Sequence, residues 1–403
     1  MFFMDYIEKI REKIKNPESV EILTEDLMWQ HQGPLLWKAD RFDGMPAFYP
    51  VYKYKEYYSY SPLALILHKN NLHLNPAAVK KLNLKEFILL GHDTPLDLDI
   101  ERIGASHGFT REITDADNYC RMLVDAIKLD IAEIEKLNPG FVNVIMCGGK
   151  DSLNLLLLPW KNPVVAYSAE PNYPLVCEFV KANNLDIEVH RLEDSFDDDY
   201  LQEEIAELCC RLDTVHWRWG HHIKKISDQY SKKLIIWKGQ MADAYFSPRW
   251  KTYIYPENEP RLFFCKVYKK LSPFLPMFLS VPFGHLISRM VEDTVWTKGA
   301  ISQGDHMAFI RALTDTLVLS AYHGKNVQKV LSSVDLAKAV QKDVRMKIGE
   351  MLHGRPVIYP SHNPSPNLSV FREGAYKPEK FIALLKKHDV DIIAPKGVPG
   401  NGH

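Results

Sequence analysis

A glycine-containing loop stands out in the sequence because its residue types are suited to holding an anion. Cys147-Gly148-Gly149-Lys150-Asp151-Ser152 directly follows the apolar run from Val142 to Met146. Two glycines let backbone N–H groups approach a phosphate closely, and Ser152 adds a hydroxyl where a helix is expected to begin. Asp151 repels a phosphate by itself, but beside one it is suited to bind Mg²⁺. The loop therefore predicts a site that holds pyrophosphate together with a magnesium ion.

This loop resembles the SGGxDS motif of the PP-loop ATP-pyrophosphatases, the superfamily of asparagine synthetase, β-lactam synthetase, NAD synthetase and tRNA thiolation enzymes. Gly148, Gly149, Asp151 and Ser152 match the motif, whereas Cys147 replaces its first serine. The resemblance implies an enzyme that splits ATP into AMP and pyrophosphate, and so activates a substrate oxygen as an adenylate. It also implies that the loop from Cys147 to Ser152, Lys150 included, binds ATP and pyrophosphate.

A second segment, KGQMADAYF from Lys238 to Phe246, follows the apolar run from Leu234 to Trp237. It resembles the SGEGADELF segment of asparagine synthetases, in which the aspartate shares the catalytic Mg²⁺ with the aspartate of the first motif. The resemblance therefore implies that Asp243 is the partner of Asp151, and that both are metal ligands and catalytic residues. It also places Gly239 at the nucleotide. ATP and Mg²⁺ are the cofactors expected.

Three positions differ from the family or have no clear equivalent in this chain. Gln240 stands where asparagine synthetases have Glu and β-lactam synthetases have a Tyr implicated in deprotonating the amine. An amide cannot accept a proton at neutral pH, so either another residue is the base or the nucleophile needs none. Ala244 replaces the Glu after the metal aspartate. For the family's catalytic lysine, which lies in the helical C-terminal part, Lys347 is our candidate.

The N-terminal region carries a weaker resemblance. The stretch from Lys85 to Gly91, with Thr94 and Ile103, resembles the end of the glutaminase-like domain that precedes the synthetase domain in asparagine synthetases. Those enzymes hydrolyse glutamine with an N-terminal cysteine, whereas this chain has Phe2, and its first cysteine is Cys120. We therefore expect residues 1–118 to form a degenerate glutaminase-like domain without glutaminase activity.

Hydrophobic periodicity between about residue 119 and residue 250 alternates between the periods of helices and strands. The expected strands are Val142–Met146, Val164–Tyr167, Ile187–Leu192 and Leu234–Trp237. The expected helices run from Asn118 to Leu137, from near Ser152, and from Tyr173 to Ala182. Strands separated by helices indicate βαβ crossovers and a parallel sheet covered on both faces. Residues from about 263 onward are expected to be mostly helical, up to a loop from Tyr359 to Ser369.

These patterns predict an α/β fold with two parts. Residues 119–403 are expected to form a parallel-sheet PP-loop (adenine nucleotide alpha hydrolase-like) synthetase domain with a helical C-terminal part. Residues 1–118 are expected to form a small α+β N-terminal domain before it.

Bulk composition limits the classes of partner. The chain has 403 residues, with 46% hydrophobic and 25% charged residues, which is the balance of a globular protein. Its net charge of −1 argues against general nucleic-acid binding, which needs surplus positive charge. No transmembrane segment is expected, because the most apolar stretch, Leu271 to Ile287, contains three prolines. Six cysteines without metal-ligand spacing, and no export signal, predict a cytoplasmic protein.

The expected reaction is ATP-dependent adenylation of a small-molecule or peptide carboxylate, followed by attack of an amine to form an amide or lactam in a biosynthetic pathway. One alternative is a PP-loop sulfur transferase that replaces a carbonyl oxygen, in which Cys147 could carry the sulfur. A second alternative is an inactive, nucleotide-binding pseudo-synthetase. Whether the chain works with a partner protein or as a homo-oligomer stays open.

Overall fold

The computed structural model of the 403-residue chain describes a subset of its residues. These are 4–24, 27, 35–43, 51–60, 62–73, 101–103, 110–192, 222–223, 225–230, 233–239, 242, 316–360, 386 and 391–393. Residues 76–90, for which the sequence predicts helical turns, and most of the predicted loop at 359–369 lie outside these ranges.

The described residues of the N-terminal region include two helices and a five-stranded mixed sheet. The helices are α1 (Met4–Ile14) and α2 (Pro62–Lys69). The strands are β1 (Glu18–Leu23), β2 (Trp37–Phe42), β3 (Val51–Tyr54), β4 (Tyr57–Ser59), β5 (Asn71–His73) and β6 (Glu101–Ile103). The sheet order is β1-β2-β4-β3-β6, with β1 and β2 parallel and the other pairs antiparallel. The sequence also predicts extended structure for the tyrosine-rich segment from Phe48 to Tyr60, and residues 51–60 of that segment contain the hairpin of β3 and β4.

The remaining elements begin with the long helix α3 (Ala116–Leu137). The strands that follow are β7 (Val142–Met146), β8 (Val164–Ala169), β9 (Glu188–Leu192), β10 (Leu234–Lys238), β11 (Leu317–Ser320) and β12 (Asp391–Ile393). The helices are α4 (Lys150–Leu153), α5 (Tyr173–Ala182), α6 (Lys325–Ser333), α7 (Leu336–Ala339) and α8 (Val344–His353). A 3₁₀ turn (Asn154–Leu157) continues α4.

A five-stranded sheet in the order β11-β10-β7-β8-β9 forms the centre of this part, and every pair in it is parallel. The mixed α/β content and the parallel sheet are those that the sequence predicts. The chain starts at the central strand β7, proceeds outward through β8 and β9, and then returns to the other side of β7 to form β10 and β11. The direction of winding therefore reverses between β7 and β10.

The two strands on either side of this reversal are buried along their whole length. All five residues of β7 and all five of β10 are buried. A parallel strand covered on both faces is expected to be a continuous apolar run, and both runs are visible in the sequence. Between them, Trp237 Nε1 donates to Asn143 Oδ1 at 2.8 Å, and Asn143 Nδ2 donates to the buried Glu135 carboxylate of α3 at 2.7 Å. The polar atoms between the two strands are thus satisfied inside the core.

Helices α3, α6 and α8 belong to one hydrophobic core together with the sheet. The start of α6 is held by a side chain of another helix, because the buried Asp130 carboxylate of α3 accepts from the backbone N–H groups of Asn326 and Val327 at 3.0 Å each. A Cβ on Gly324 would lie 2.0 Å from Asp130 Oδ2, so this close approach requires a glycine. This carboxylate satisfies N–H groups that a helix start leaves unpaired.

Two features differ from the sequence-based expectations. The region predicted to be mostly helical after residue 263 supplies the strand β11, which completes one edge of the parallel sheet beside β10. The C-terminal strand β12 pairs in parallel with β5 of the N-terminal region, so backbone hydrogen bonds join the two regions. Among the described residues, no helix has the length and apolar character needed to cross a membrane.

Candidate functional site

The two segments singled out in the sequence begin side by side at one edge of the sheet. Met146 and Lys238, the last residues of β7 and β10, are paired in the parallel register, so Cys147 and Gly239 follow them at the same level. Both segments therefore start at the carboxyl ends of neighbouring strands, where the winding direction reverses. In open α/β sheets this position forms a crevice that binds ligands.

Gly149 has a backbone conformation that side chains disfavour. Its φ of 147° and ψ of −165° lie in a region that is essentially restricted to glycine. It stands directly before α4, so the sharp change from strand to helix takes place at this residue.

The Ser152 hydroxyl is used to close the loop on itself. Its Oγ donates to the Gly149 carbonyl at 2.9 Å and accepts from the Gly148 N–H at 3.2 Å. The Ser152 N–H donates to the same Gly149 carbonyl at 3.2 Å. In this conformation the Ser152 hydroxyl already donates its hydrogen to an acceptor within the loop. An anion could accept a hydrogen bond from this hydroxyl only if the bond to the Gly149 carbonyl broke first. Ser152 therefore shapes the loop.

The helix after the loop is short. α4 comprises Lys150–Leu153, and the chain then tightens into the 3₁₀ turn Asn154–Leu157 before Pro159. Because a macrodipole grows with the number of aligned peptides, a helix of one turn contributes little electrostatic attraction for an anion. The N–H groups of the loop, rather than the helix dipole, are what this site offers to a phosphate.

Cys147 is completely buried at the end of β7. Its N–H donates to the Tyr167 carbonyl at 2.8 Å, and its carbonyl accepts from the Ser168 hydroxyl at 2.7 Å, so β8 holds both sides of the residue. Burial raises the pKa of the Cys147 thiol to about 12, and the neighbouring Ser152 hydroxyl opposes this rise. A protonated, enclosed thiol is a poor nucleophile.

Asn172, in the connection from β8 to α5, reaches across to the glycine loop. Its Nδ2 donates to the Gly148 carbonyl at 3.0 Å. Asn172 occupies the N-cap position of α5, where an asparagine usually caps its own helix, yet its side chain makes no capping bond. Asn172 is only 7% exposed, and its buried Oδ1 has no hydrogen-bond partner among the described residues. A buried acceptor without a partner costs about 1–3 kcal/mol, so it calls for a physical explanation.

After β10, a backbone hydrogen bond joins Ala242 to Gly239. The Ala242 N–H points back to the Gly239 carbonyl at 3.4 Å, and Ala242 is fully buried. Lys238, the last residue of β10, is also buried, which places a basic side chain directly before Gly239. The proposed metal ligand Asp243 lies outside the described residues, as do Gln240 and Ala244.

The side chains of Lys150 and Asp151 likewise lie outside the described part of the structure, although their backbone forms the start of α4. Among the side chains that are described, no group of three or more metal-binding residues is found. The assignment of Asp151 and Asp243 to a shared Mg²⁺ therefore stays a prediction, based on the backbone that brings the two loops together.

Lys347 of α8 contacts carboxylates rather than the glycine loop in the described structure. Its Nζ lies 2.7 Å from Asp117 Oδ1 near the start of α3, and 3.3 Å from Asp343 Oδ2 at the N-cap of its own helix. These hydrogen-bonded carboxylates raise the pKa of the Lys347 ammonium above its ordinary value. The catalytic assignment of Lys347 stays a prediction.

The C-terminal helix α8 is nonetheless connected to the segment after the loop. Asn154 Nδ2 donates to the Arg345 carbonyl at 3.1 Å, and the Tyr359 hydroxyl donates to Asn154 Oδ1 at 2.5 Å. Asn154 is fully buried and directly follows α4. Hydrogen bonds between residues 191 and 205 positions apart in the chain therefore fix the turn behind the loop.

Sequence reasoning missed Ser168 and Asn172, the two polar residues through which β8 and its connection hold the loop. Both lie at the carboxyl end of the strand beside β7, and that position was a usable signal. An asparagine directly before a helix is ordinarily explained as a cap, and this hid its contact with Gly148.

The chain matches no protein-family model and no curated protein. Its function must therefore be argued from the site itself.

Proposed function

We propose that this protein is an ATP-dependent ligase that adenylates a substrate carboxylate, releases pyrophosphate and AMP, and forms an amide or lactam by attack of an amine. One observation carries the proposal. The two segments that resemble the PP-loop and asparagine synthetase motifs start at the same level on neighbouring parallel strands, where the winding direction reverses.

The geometry of the glycine loop supports a role in holding the β- and γ-phosphates of ATP. Gly149 places a residue without a side chain at the tightest point of the turn, which lets the backbone approach an anion closely. Ser152 keeps the loop closed when no ligand is bound. On binding, we expect the Gly148 N–H to exchange its bond to Ser152 for a bond to phosphate oxygen.

Asp151 and Asp243 are the residues that would hold Mg²⁺. Carboxylate oxygens are the ligands that Mg²⁺ prefers, and in the sequence the two aspartates follow β7 and β10, which are neighbouring strands. When bound, the ion would neutralise charge on the phosphates as the bond between the α- and β-phosphates breaks. Within the chain, the two aspartates would orient ATP so that the substrate carboxylate can approach the α-phosphorus.

The burial of Cys147 favours the ligase over a sulfur transferase that uses this residue. Sulfur transfer through Cys147 needs a thiolate that substrate can reach. Its side chain is 0% exposed, and burial raises the pKa of the thiol to about 12. Cys147 is better explained as a small residue that replaces serine and packs under the loop.

The test is to identify the nucleotide products. The purified chain is incubated with Mg²⁺ and ATP and with pools of candidate carboxylic acids, and ATP–pyrophosphate exchange is followed with labelled pyrophosphate. We expect at least one acid to stimulate exchange, and chromatography to detect AMP as the product when an amine is supplied. ADP as the main product would contradict the proposal.

One observation favours the alternative of a pseudo-synthetase, namely Gln240 at the position of the family's Glu or Tyr. Because an amide cannot accept a proton, a chain without another base could bind ATP and yet not complete the ligation. The two functions are separated by the same assay. Tight ATP binding without exchange for any acid would support the pseudo-synthetase, whereas acid-dependent exchange followed by amide formation when an amine is added would exclude it.

A further inference from the structure

We propose that Asn172 is a positioning residue of the glycine loop, and that its Oδ1 accepts a hydrogen bond from a donor group of the bound nucleotide. This inference rests on the proposed function, because it takes the ligand of the loop to be ATP. It assigns to Asn172 a part in distinguishing a nucleotide from an inorganic polyphosphate.

The first part of the inference follows from the peptide between Gly148 and Gly149. Asn172 Nδ2 donates to the Gly148 carbonyl at 3.0 Å. In a trans peptide, the carbonyl of one residue and the N–H of the next point in opposite directions within one plane. Holding the Gly148 carbonyl against Asn172 therefore directs the Gly149 N–H away from α5. The bond orients a backbone donor that the loop can offer to a phosphate.

The second part follows from the other end of the same amide. Asn172 Oδ1 is buried and has no partner among the described residues. An ionised polyphosphate carries only acceptor oxygens, so it cannot satisfy this atom. The missing partner must be an O–H or N–H donor. In ATP these donors are the ribose hydroxyls and the amino group of the base, so we expect the nucleoside, not the phosphates, to face Oδ1.

A matched residue at the other end of α5 shows what a purely structural asparagine does in this fold. Asn183 is also buried, and its Nδ2 donates to the Phe179 and Ile358 carbonyls at 2.9 Å each. Its Oδ1 accepts from the Ile358 N–H at 2.8 Å. Both ends of the Asn183 amide are satisfied, whereas Asn172 leaves its acceptor open beside the glycine loop.

The positioning role is tested without any ligand, through the reactivity of Cys147 next to Gly148. Native wild-type chain, Asn172→Ala, Asn172→Asp and Asn183→Ala are treated with N-ethylmaleimide, and the modification of Cys147 is followed by peptide mass spectrometry. We expect both Asn172 variants to react about tenfold faster at Cys147, because losing one hydrogen bond shifts local opening by that order. Cys120, buried in α3, should keep its rate.

Asn172→Asp is the decisive variant in this experiment, because it keeps the size of the side chain but cannot donate to the Gly148 carbonyl. If Asn172 only fills space, Asp restores the slow rate and the positioning role is wrong. Asn183→Ala should lower thermal stability without exposing Cys147. Equal acceleration by Asn183→Ala would also contradict the proposal, since it would mean that general destabilisation opens the loop.

The acceptor role is tested by binding in the presence of Mg²⁺. Dissociation constants are measured by calorimetry for ATP, inorganic tripolyphosphate, 2′-deoxy-ATP, 3′-deoxy-ATP and the triphosphate of purine riboside, which lacks the amino group. We expect Asn172→Ala to weaken ATP binding about tenfold more than tripolyphosphate binding, the value of one buried hydrogen bond. One of the three analogues lacks the group that donates to Oδ1, and Asn172→Ala should weaken its binding no more than it weakens tripolyphosphate binding. The group missing from that analogue is the donor.

The outcomes separate the inference from the proposed function. If wild type binds ATP but Asn172→Ala weakens ATP and tripolyphosphate equally, the acceptor role is wrong and the proposed function stands. If wild type binds neither ligand, the proposed function and the acceptor role both fail. The reactivity of Cys147 still decides the positioning role in that case.

Discussion

Met146 and Lys238 lie opposite each other on neighbouring parallel strands, and each is the last residue of its strand. The chain between them passes through two further strands of the same sheet before it returns. Two segments that are far apart in sequence therefore leave the sheet side by side. The predictions below test whether they act as one site.

Asp151→Asn and Asp243→Asn should each remove most Mg²⁺-dependent pyrophosphate release. We expect a loss of about 4 kcal/mol in transition-state stabilisation, or roughly 10³-fold, because each change removes a charge that holds the ion. The double variant should be little slower than either single one, since both aspartates serve one ion. Asp186→Asn, on an exposed residue before β9, is the control. Full additivity would mean that the aspartates serve separate sites.

Gly149→Ala should lower turnover more than it lowers stability. An alanine at φ 147° and ψ −165° costs roughly 1–3 kcal/mol, and the loop would have to change shape to relieve that strain. Gly140→Ala is the matched control, because Gly140 also has a positive φ, 75°, but lies before β7 with open space around it. Thermal melting should show losses of similar size for both variants. Only Gly149→Ala should reduce ATP–pyrophosphate exchange by tenfold or more.

Cys147→Ser should retain most activity. The thiol is buried and only occupies the place of a loop serine, so the change should cost at most about 1 kcal/mol. The assay pairs pyrophosphate release with mass spectrometry of the product. If sulfur is transferred through this residue, the variant will still release pyrophosphate but form no product, and the wild-type chain will carry a persulfide on Cys147. That result would overturn the ligase proposal.

The buried thiol should also make stability depend on pH in the alkaline range. Burial raises the pKa of Cys147 from 9.0 to about 12, so the folded chain keeps its proton where the unfolded chain loses it. The resulting contribution to the free energy of unfolding is fully present below pH 9 and is lost as the pH rises toward 12. Urea unfolding of wild type should therefore lose more stability than that of Cys147→Ser between pH 8 and pH 10.5. Identical losses in the two chains would contradict burial of the thiol.

Lys347→Met tests whether this lysine takes part in catalysis or only forms ion pairs. Exposed ion pairs contribute about 0–1 kcal/mol, so if Lys347 only pairs with Asp117 and Asp343, turnover should stay near that of wild type. Asp117→Asn removes one of these pairs and keeps the lysine, and it serves as the control. The structure leads us to expect small effects from both changes. A large loss of turnover in Lys347→Met alone would support catalysis by Lys347.

Part of the fold could be predicted because it depends on local patterns. β7 and β10 are continuous apolar runs, and the helix that ends at Leu137 is followed by Asn138-Pro139-Gly140, which stops a helix. The loop from Cys147 to Ser152 was recognised for the same reason, since two adjacent glycines after a buried strand are a local signal. The strand β11 was missed, because three apolar residues and a serine within a region predicted to be helical carry no distinguishing period.

The sequence by itself determined which segments can be strands and which residues can bind an anion. Only the tertiary structure decided that β10 lies beside β7, that Asn172 holds the Gly148 carbonyl, and that Asn154 is tied to Arg345. Strand order and such side-chain contacts depend on which distant segments pack together. Their free energy comes from burial and from hydrogen bonds across the fold, and a local window of sequence contains neither.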